Sequence, residues 1–532
     1  MSHSSQAAGS PAARHRVALY ALLVATCLLL LWIVAHRPML GVRGQHAYGY
    51  RPVARWSAAL LLVGLAAPWA AAVAFALRRG PGLSGRQQWA VVAALTGGSL
   101  VLHVGTACAP KLYPGAELAW SFLERHREGA YSRRAAAARP VKQFLSNYVH
   151  GLDVSPVADS PHWVHVHHAE VHPPGLTLGF VALERLYVAW PRLAAAADRC
   201  IDALFPSVAV MRQKQEAHRI RHPVAVAMTA AAGTIVVASL LPLVCFVAVR
   251  DAWGGEQALV AAALCAVIPG THLFNPSIDQ AYPTVALAVC ALGVRAVTQR
   301  AQGAAVAFGA LLFAALFVHI GLALAVVVLA AAVAAAWCAG HGEHAARQAA
   351  RAAARPLAAA AVGFFTPALV LHVWLGYPTL RVAMLCLRNN HLFNEAMKRT
   401  YWAWLAATPL EFGLSLGFGM LLVAGAGWLR EAQAAVRARS LRGRSAPLLA
   451  VGGVMVALTL LGINRGETAR LWLFLTPMVV AAAVAHVWRR SAQPRRLLAA
   501  LAALQALQAI VLSVALDAGL TTSFFVGLLR QG

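Results

Sequence analysis

Five histidines and a glutamate fall within residues 162–172, which read His162-Trp163-Val164-His165-Val166-His167-His168-Ala169-Glu170-Val171-His172. Neutral imidazole is a common ligand of transition metals, so a divalent metal is one chemistry open to this run. The spacing fits no closed zinc set. Contacts to phosphate or sugar, and ordinary solvated histidines, are the other readings. Pro173, Pro174 and Gly175 follow. Two prolines fix φ and suit the first turn of a helix, so they hold His172 rigidly at its entry. A plain helix-entry turn is the alternative.

Other polar groups break into apolar surroundings. Asn275-Pro276-Ser277-Ile278-Asp279-Gln280 separates two apolar runs, with Asp279 functional or with Ser277 or Asp279 serving only as a helix N-cap. Asn464-Arg465-Gly466-Glu467-Thr468-Ala469-Arg470 separates two more. There Glu467 and Arg470 share a helix face at i, i+3 and can simply pair. Arg465 or Arg470 can instead bind phosphate through paired guanidinium hydrogen bonds. Arg388-Asn389-Asn390-His391 precedes Lys398-Arg399-Thr400-Tyr401-Trp402-Ala403-Trp404, an interfacial aromatic belt or a surface for a phosphate headgroup or a sugar ring. Glu117 opens a stretch, 115–139, that reads as a helix lying on the membrane surface.

The elements that must position these groups are membrane helices. Of 532 residues, 60% are hydrophobic and 12% charged, with a mean hydropathy of +0.63, more apolar surface than a soluble chain can hide. Apolar runs long enough to cross the hydrocarbon recur near 17–35, 57–77, 89–107, 175–190, 223–249, 257–273, 282–297, 304–318, 320–337, 357–376, 410–428, 447–463, 471–487 and 498–517. Only helices supply this pattern, since a lipid-exposed backbone must satisfy itself. The net charge of +26 sits in short loops, which points to membrane orientation and away from nucleic acid. None of the eight cysteines forms a C-x-x-C pair; Cys108 and Cys386 are either a disulfide or two isolated buried thiols.

The first span follows Arg14-His15-Arg16 and outruns a signal-peptide core, so it reads as a retained anchor with a cytoplasmic N-terminus. Basic loops at 78–86, 192–222, 338–356, 429–446 and 488–496 are expected in the cytoplasm. The polar loop 109–173, Asp279, His319, His391 and 464–470 then share the outer face. Ionisable groups gathered near membrane depth make a functional-site hypothesis. Five apolar segments separate loops 192–222 and 338–356, where an even number of crossings is required, so one of the segments between 223 and 337 is expected to be re-entrant, merged or misjudged.

A long outer loop that closes in His172-Pro173-Pro174-Gly175 before a span resembles the GT-C superfamily of polytopic glycosyltransferases. Ser277-Ile278-Asp279 and Gly466-Glu467-Thr468-Ala469-Arg470-Leu471-Trp472 are similar to segments of its uncharacterised, mannosyltransferase-like bacterial members, and the likeness spans roughly 89–490. The resemblance implies an all-α polytopic integral membrane protein of about 13–14 transmembrane helices, with one large extracytoplasmic loop carrying surface helices. It implies an N-terminal membrane region at 1–88, a catalytic membrane module at 89–340 that includes loop 109–173, and a C-terminal membrane region at 341–532. The first two spans and the last read as additions to that module.

The implied reaction moves a sugar from a polyprenyl-phosphate donor in the bilayer to a glycan, lipid or protein acceptor in the cell envelope. The implied place is the outer face of a bacterial plasma (inner) membrane, with no nucleic acid involved. A carboxylate early in the first large outer loop acts as base or positions a metal; by position this is Glu117, where the family usually has Asp, often with a second acidic residue that Leu118 replaces here. Asp153, Asp159 and Glu170 are alternatives. Asp279 joins Glu117 as a catalytic candidate. His168, His172, His391, Arg465, Glu467 and Arg470 are the candidates for substrate binding. A transporter or flippase of a lipid-linked or anionic solute, and a catalytically degenerate membrane protein, are the competing classes.

Overall fold

A computed structural model of the chain describes residues 11–42, 46–51, 54–124, 128–152, 168–209, 220–338, 343–438, 445–462 and 465–518. Among them, seven helices are long and apolar enough to cross a membrane, two bent helix pairs bring the number to as many as nine, and three shorter apolar helices accompany them. The protein is an all-α polytopic membrane protein. The one sheet among the described residues is small: Leu40–Val42, His46–Tyr50 and Leu516–Asp517 pair in that order, with Leu40 opposite Tyr48 and Gly49 opposite Asp517.

That sheet ties the turn after helix Pro11–His36 to the end of helix Pro494–Ala515. Leu30 and Ile33 of the first helix, and Leu498 to Leu516 of the last, belong to one continuous buried core. The first two spans and the last are therefore built into the bundle, and the strand they carry brings His46 to within 3.9 Å of Glu467. Leu357, Phe365, Leu369 and Trp374 of helix Glu343–Leu375 are exposed, as expected of side chains meeting lipid.

Side-chain contacts define two faces. On one, Arg495 pairs with Glu256 at 2.6 Å and Arg295 with Asp251 at 3.5 Å, and Arg495 also packs against Gly80. On the other lie the ends of Gly85–Cys108 and Gln302–Val318, the start of Ile278–Thr298, and Arg470. The second is the site face.

The segment 175–222 departs from expectation. Helices Gly175–Ala189 and Pro191–Leu204 do not carry the chain to the opposite face. Ala116 N–H donates to the Ser207 hydroxyl at 3.3 Å, Arg139 pairs with Glu184 at 2.5 Å, and Arg221 N–H donates to the same carboxylate at 2.9 Å. Gly115 packs against Phe205 and Val208 so closely that a Cβ there would collide. The described residues from 109 to 222 thus form one assembly on the site face. The expected crossing at 175–190 is absent, and the described residues of 192–222 lie on the face opposite Gly80 and Arg495, away from the basic loops with which their charge grouped them. The charge rule governs short connecting loops, and these residues are folded structure.

From the site face at 222 the chain runs along three candidate spans, Pro223–Trp253, Gly255–Leu273 and Ile278–Thr298, and two shorter apolar helices, Gln302–Val318 and Ile320–Ala334. Five passes lead to the opposite face, so the odd number of segments between 223 and 337 needs no re-entrant or merged member. The expected single span at 410–428 is also different: Tyr401–Leu416 and Phe418–Ala438 meet at an angle of 118°. Gly417 between them has φ +100°, which an L side chain rarely adopts.

Candidate functional site

Four segments converge on the site face. The first is the break between helices Pro114–Ser121 and Gly129–Ala137, which carries Glu128. The second is the turn Asn275–Asp279 ahead of helix Tyr282–Thr298. The third is 465–471, containing the short helix Thr468–Leu471. The fourth is the junction of His172 with His319, at the entry of one helix and the exit of another.

Ser277 links the first two. Its hydroxyl lies 2.8 Å from Glu128 Oε1 and 3.1 Å from Asp279 Oδ2, and its oxygen accepts the Asp279 N–H at 3.3 Å. Ile278 N–H also donates to Glu128 Oε1, at 3.2 Å. One hydroxyl proton cannot serve two ionised carboxylates, so this geometry is best satisfied with a proton on one of them. Burial pushes Glu128 up to about 7, helped by Asp279 and opposed by Arg470 and by the Ser277 and Ile278 hydrogen bonds. Glu128 and Asp279 are both buried.

Arg470 supplies the cation. Its Nε lies 3.3 Å from Asp279 Oδ2, an ionic contact without hydrogen-bond alignment, and its Nη2 lies 2.6 Å from Glu467 Oε2. Burial disfavours its charge, but Glu467, Asp279 and Glu128 outweigh that and hold the guanidinium above its ordinary range. Arg399 binds the other oxygen of Glu467 at 3.0 Å, and also donates to the Arg465 carbonyl. Gly466 makes this approach possible: it has φ +95°, and a Cβ there would stand 2.8 Å from the Arg399 Cζ. His46 of the small sheet stands 3.9 Å from Glu467.

A stack of rings lies beside the carboxylates. His172 and His319 have ring centroids 4.7 Å apart, Tyr282 stands 4.8 Å from His319, and Tyr131 6.0 Å from His172. Tyr148 donates to the His172 carbonyl at 2.8 Å. His319 Nδ1 accepts the Gly321 N–H at 3.0 Å, so the neutral ring carries its proton on Nε2. Burial lowers His319, with Asp279 opposing, and favours that neutral form.

The structure thus gathers Asp279, Glu467 and Arg470 and sets His172 beside them. It places the other candidates elsewhere. Glu117 is fully buried; Oε1 accepts Leu112 and Tyr113 N–H at 3.0 Å each, and Oε2 faces Lys111 at 3.8 Å and Arg51 at 3.9 Å. Arg465 donates to the Gly462 and Arg399 carbonyls and lies over the Tyr401 ring. His391 is exposed and pairs with Glu395 at 3.2 Å. His168 is described only as the first residue of the short helix His168–Val171, which also carries Glu170. Asp153, Asp159, Asn464 and the histidines at 162, 165 and 167 lie outside the described residues. Cys108 and Cys386 are free thiols.

Glu128 is the member of this site that the sequence does not single out; Ser277 reads there as a helix N-cap or part of the Ser277-Ile278-Asp279 segment, and His319 as one of the polar groups sharing a face, neither with a role of its own. Glu128 ends the run Glu124-Arg125-His126-Arg127-Glu128 ahead of Gly129. That run interrupts the apolar pattern and marks a break in what reads as one surface helix. Among the described residues, no group of three or more His, Cys, Asp or Glu is placed to hold a metal ion. At Asp279, Arg470 fills the role of counter-cation, so the donor set among the described residues does not fit a resident metal.

No protein-family model matches the chain, and no curated protein matches it. Solved structures similar to it include the Archaeoglobus fulgidus oligosaccharyltransferase in complex with Zn and sulfate, at 13% identity and a TM-score of 0.39 over 78% of this chain and 52% of that one. Another is the oligosaccharyltransferase AglB from Archaeoglobus fulgidus in complex with an inhibitory peptide and a dolichol-phosphate, at 12% identity and a TM-score of 0.40 over 79% of this chain and 55% of that one. The chain spans about half the length of these structural neighbours.

Proposed function

We propose that this protein is a membrane glycosyltransferase that moves a sugar from a polyprenyl-phosphate donor to a hydroxyl of a glycan, lipid or protein acceptor at the site face. The observation that carries the reading is the Ser277 hydroxyl held between Glu128 and Asp279, with Arg470 on Asp279. It combines a base poised near neutrality with a fixed cation.

Each part of the transfer then has a group. The acceptor oxygen attacks the anomeric carbon, the carbon–oxygen bond to the phosphate breaks, and the hydroxyl proton passes to Glu128. A base with a pKa near the working pH is the most effective choice, worth about 10²–10⁴ in rate. The departing phosphate takes both bonding electrons. Arg470 stabilises that charge from a position set before the reaction begins, worth about 10²–10³ in rate for one such group. Asp279 orients Arg470, Glu467 and Arg399 hold its other side, and the ring stack shields the carboxylates from water. Glu117 secures the start of the outer loop against the small sheet, through Arg51 and Lys111.

The test is transfer of labelled sugar from a panel of polyprenyl-phosphate donors by purified protein in lipid, with Glu128→Gln and Arg470→Ala beside the parent. The expected result is label in acceptor or water for the parent and almost none for either variant. Label remaining on every donor with the folded parent would sink the reading.

A further inference from the structure

Arg470 can act only while its guanidinium stays over Asp279, yet the element that carries it cannot hold itself. Thr468–Leu471 is a helix of four residues. A single turn is unstable alone, because the nucleus costs more than its few hydrogen bonds return. Its first amides also need acceptors from outside.

Glu411 provides one. It lies in helix Tyr401–Leu416, one per cent exposed. Its Oε2 accepts Thr468 N–H at 2.6 Å and Ala469 N–H at 3.4 Å. Thr408, three residues earlier on the same helix, brings its hydroxyl to 3.5 Å from that of Thr468. Glu411 Oε1 is buried without a hydrogen-bond partner. A buried carboxylate is costly unless hydrogen-bonded, and here its hydrogen bonds go to the backbone of one functional turn. The residue before that turn, Glu467, has φ +56°, a conformation that must be held from outside.

We infer that Glu411 is a positioning residue: through the Thr468 and Ala469 amides it fixes the 467–471 turn, so that Arg470 stays over the Glu128–Asp279 pair. The inference rests on the site reading above, but it makes no use of sugar transfer and can be tested without it.

The probe is the protonation of Glu128 in the full chain in lipid, read by difference infrared spectroscopy of the carboxyl band and assigned with Glu128→Gln. The groups facing Glu128 are Asp279, Arg470, Tyr131 and Tyr282. Of these only Arg470 favours the carboxylate. Displacing Arg470 should therefore raise the midpoint from near 7, by about one to three pH units. Glu411→Leu is expected to raise it as far as Arg470→Ala does, and the double variant no further. Glu411→Asp keeps the carboxyl group but withdraws the acceptor by one methylene; it should shift the midpoint in the same direction if the leucine variant does not fold. Glu411→Gln keeps an acceptor, fits its amide at the unpartnered oxygen, and should remain near the parent.

Hydrogen exchange gives the second readout, with Thr468 and Ala469 amides exchanging at least about tenfold faster in Glu411→Leu or Glu411→Asp and the rest of the bundle unchanged. An unchanged midpoint in a folded Glu411→Leu or Glu411→Asp variant overturns the inference, as does a shift that adds to that of Arg470→Ala. A parent that shifts as expected but transfers no sugar leaves Glu411 as the positioning residue and removes the proposed reaction.

Discussion

Two carboxylates of the assembly on the site face, Glu117 and Glu128, lie eleven positions apart and do opposite things. Glu117 is wrapped: two backbone amides reach one oxygen, and Arg51 and Lys111 face the other. A carboxylate so surrounded has its oxygens committed to holding the loop. Glu128 is also buried, but its nearest charged neighbours include a second carboxylate, Asp279, and it is pushed up to about 7. Burial alone does not distinguish them. The partners do: Glu117 answers cations and amides that tie a loop to a sheet, whereas Glu128 shares a hydroxyl with a like charge. Position after the span singles out Glu117, and environment singles out Glu128.

The largest effects should come from separating the two in activity. Glu128→Gln is expected to lower sugar transfer by about 10²–10⁴ in kcat. Arg470→Ala should lower it by about 10²–10³. Glu117→Gln, measured per folded molecule, should leave kcat near the parent. Comparable losses in kcat at Glu117 and Glu128 would erase the distinction.

Stability should divide the pair the other way. Glu117→Ala leaves Arg51 and Lys111 buried without their shared carboxylate, and breaking a buried pair costs about 3–5 kcal/mol. The expected outcome is a sharp fall in the thermal unfolding midpoint in lipid. Glu128→Gln removes a buried carboxylate whose charge is already disfavoured, so its midpoint should fall much less, or rise. A thermal scan that ranks the two variants in reverse order would contradict the assignment.

Much of the fold was legible because composition and apolar run length report directly on lipid. The spans at 89–107, 257–273, 282–297 and 498–517 sit where Gly85–Cys108, Gly255–Leu273, Ile278–Thr298 and Pro494–Ala515 are found. The segment 175–190 misled for a physical reason: Thr177, Phe180, Val181, Glu184 and Tyr187 are buried within the protein, and an apolar face against protein reads like one against lipid. The small sheet was invisible, since strands of two to five residues carry too little periodicity. At the site, Asp279, Glu467 and Arg470 stood out because each interrupts an apolar run. Glu128 did not, since it ends a charged run and only its tertiary partners make it unusual. Glu411 was hidden for a related reason: one carboxylate inside an apolar helix gives no sign of which backbone it serves.

A finer division lies in pH. If Glu128 is the base, it works ionised, so transfer should be low below its raised pKa, rise through about pH 7 and level off above it. Arg470 is the neighbour that pulls this pKa down. The residual activity of Arg470→Ala should therefore rise at a higher pH than the parent's, by about one to three units. Glu117→Gln should leave the limb where it is. A limb that moved with Glu117 and ignored Arg470 would return the base to the wrapped carboxylate.

The smallest expected effect is at His391, which is exposed and meets Glu395 on its own helix. An exposed pair of this kind contributes about 0.3–0.5 kcal/mol at most. His391→Ala should leave transfer, thermal midpoint and pH limb at parent values, while His172→Ala removes a ring packed between His319 and Tyr131 and should lower transfer. The two histidines flank polar runs on the same face and differ in what surrounds them. A loss at His391 equal to that at His172 would mean that substrate reaches across helix Thr379–Ala396, and the site would then extend well beyond the Glu128–Asp279–Arg470 cluster.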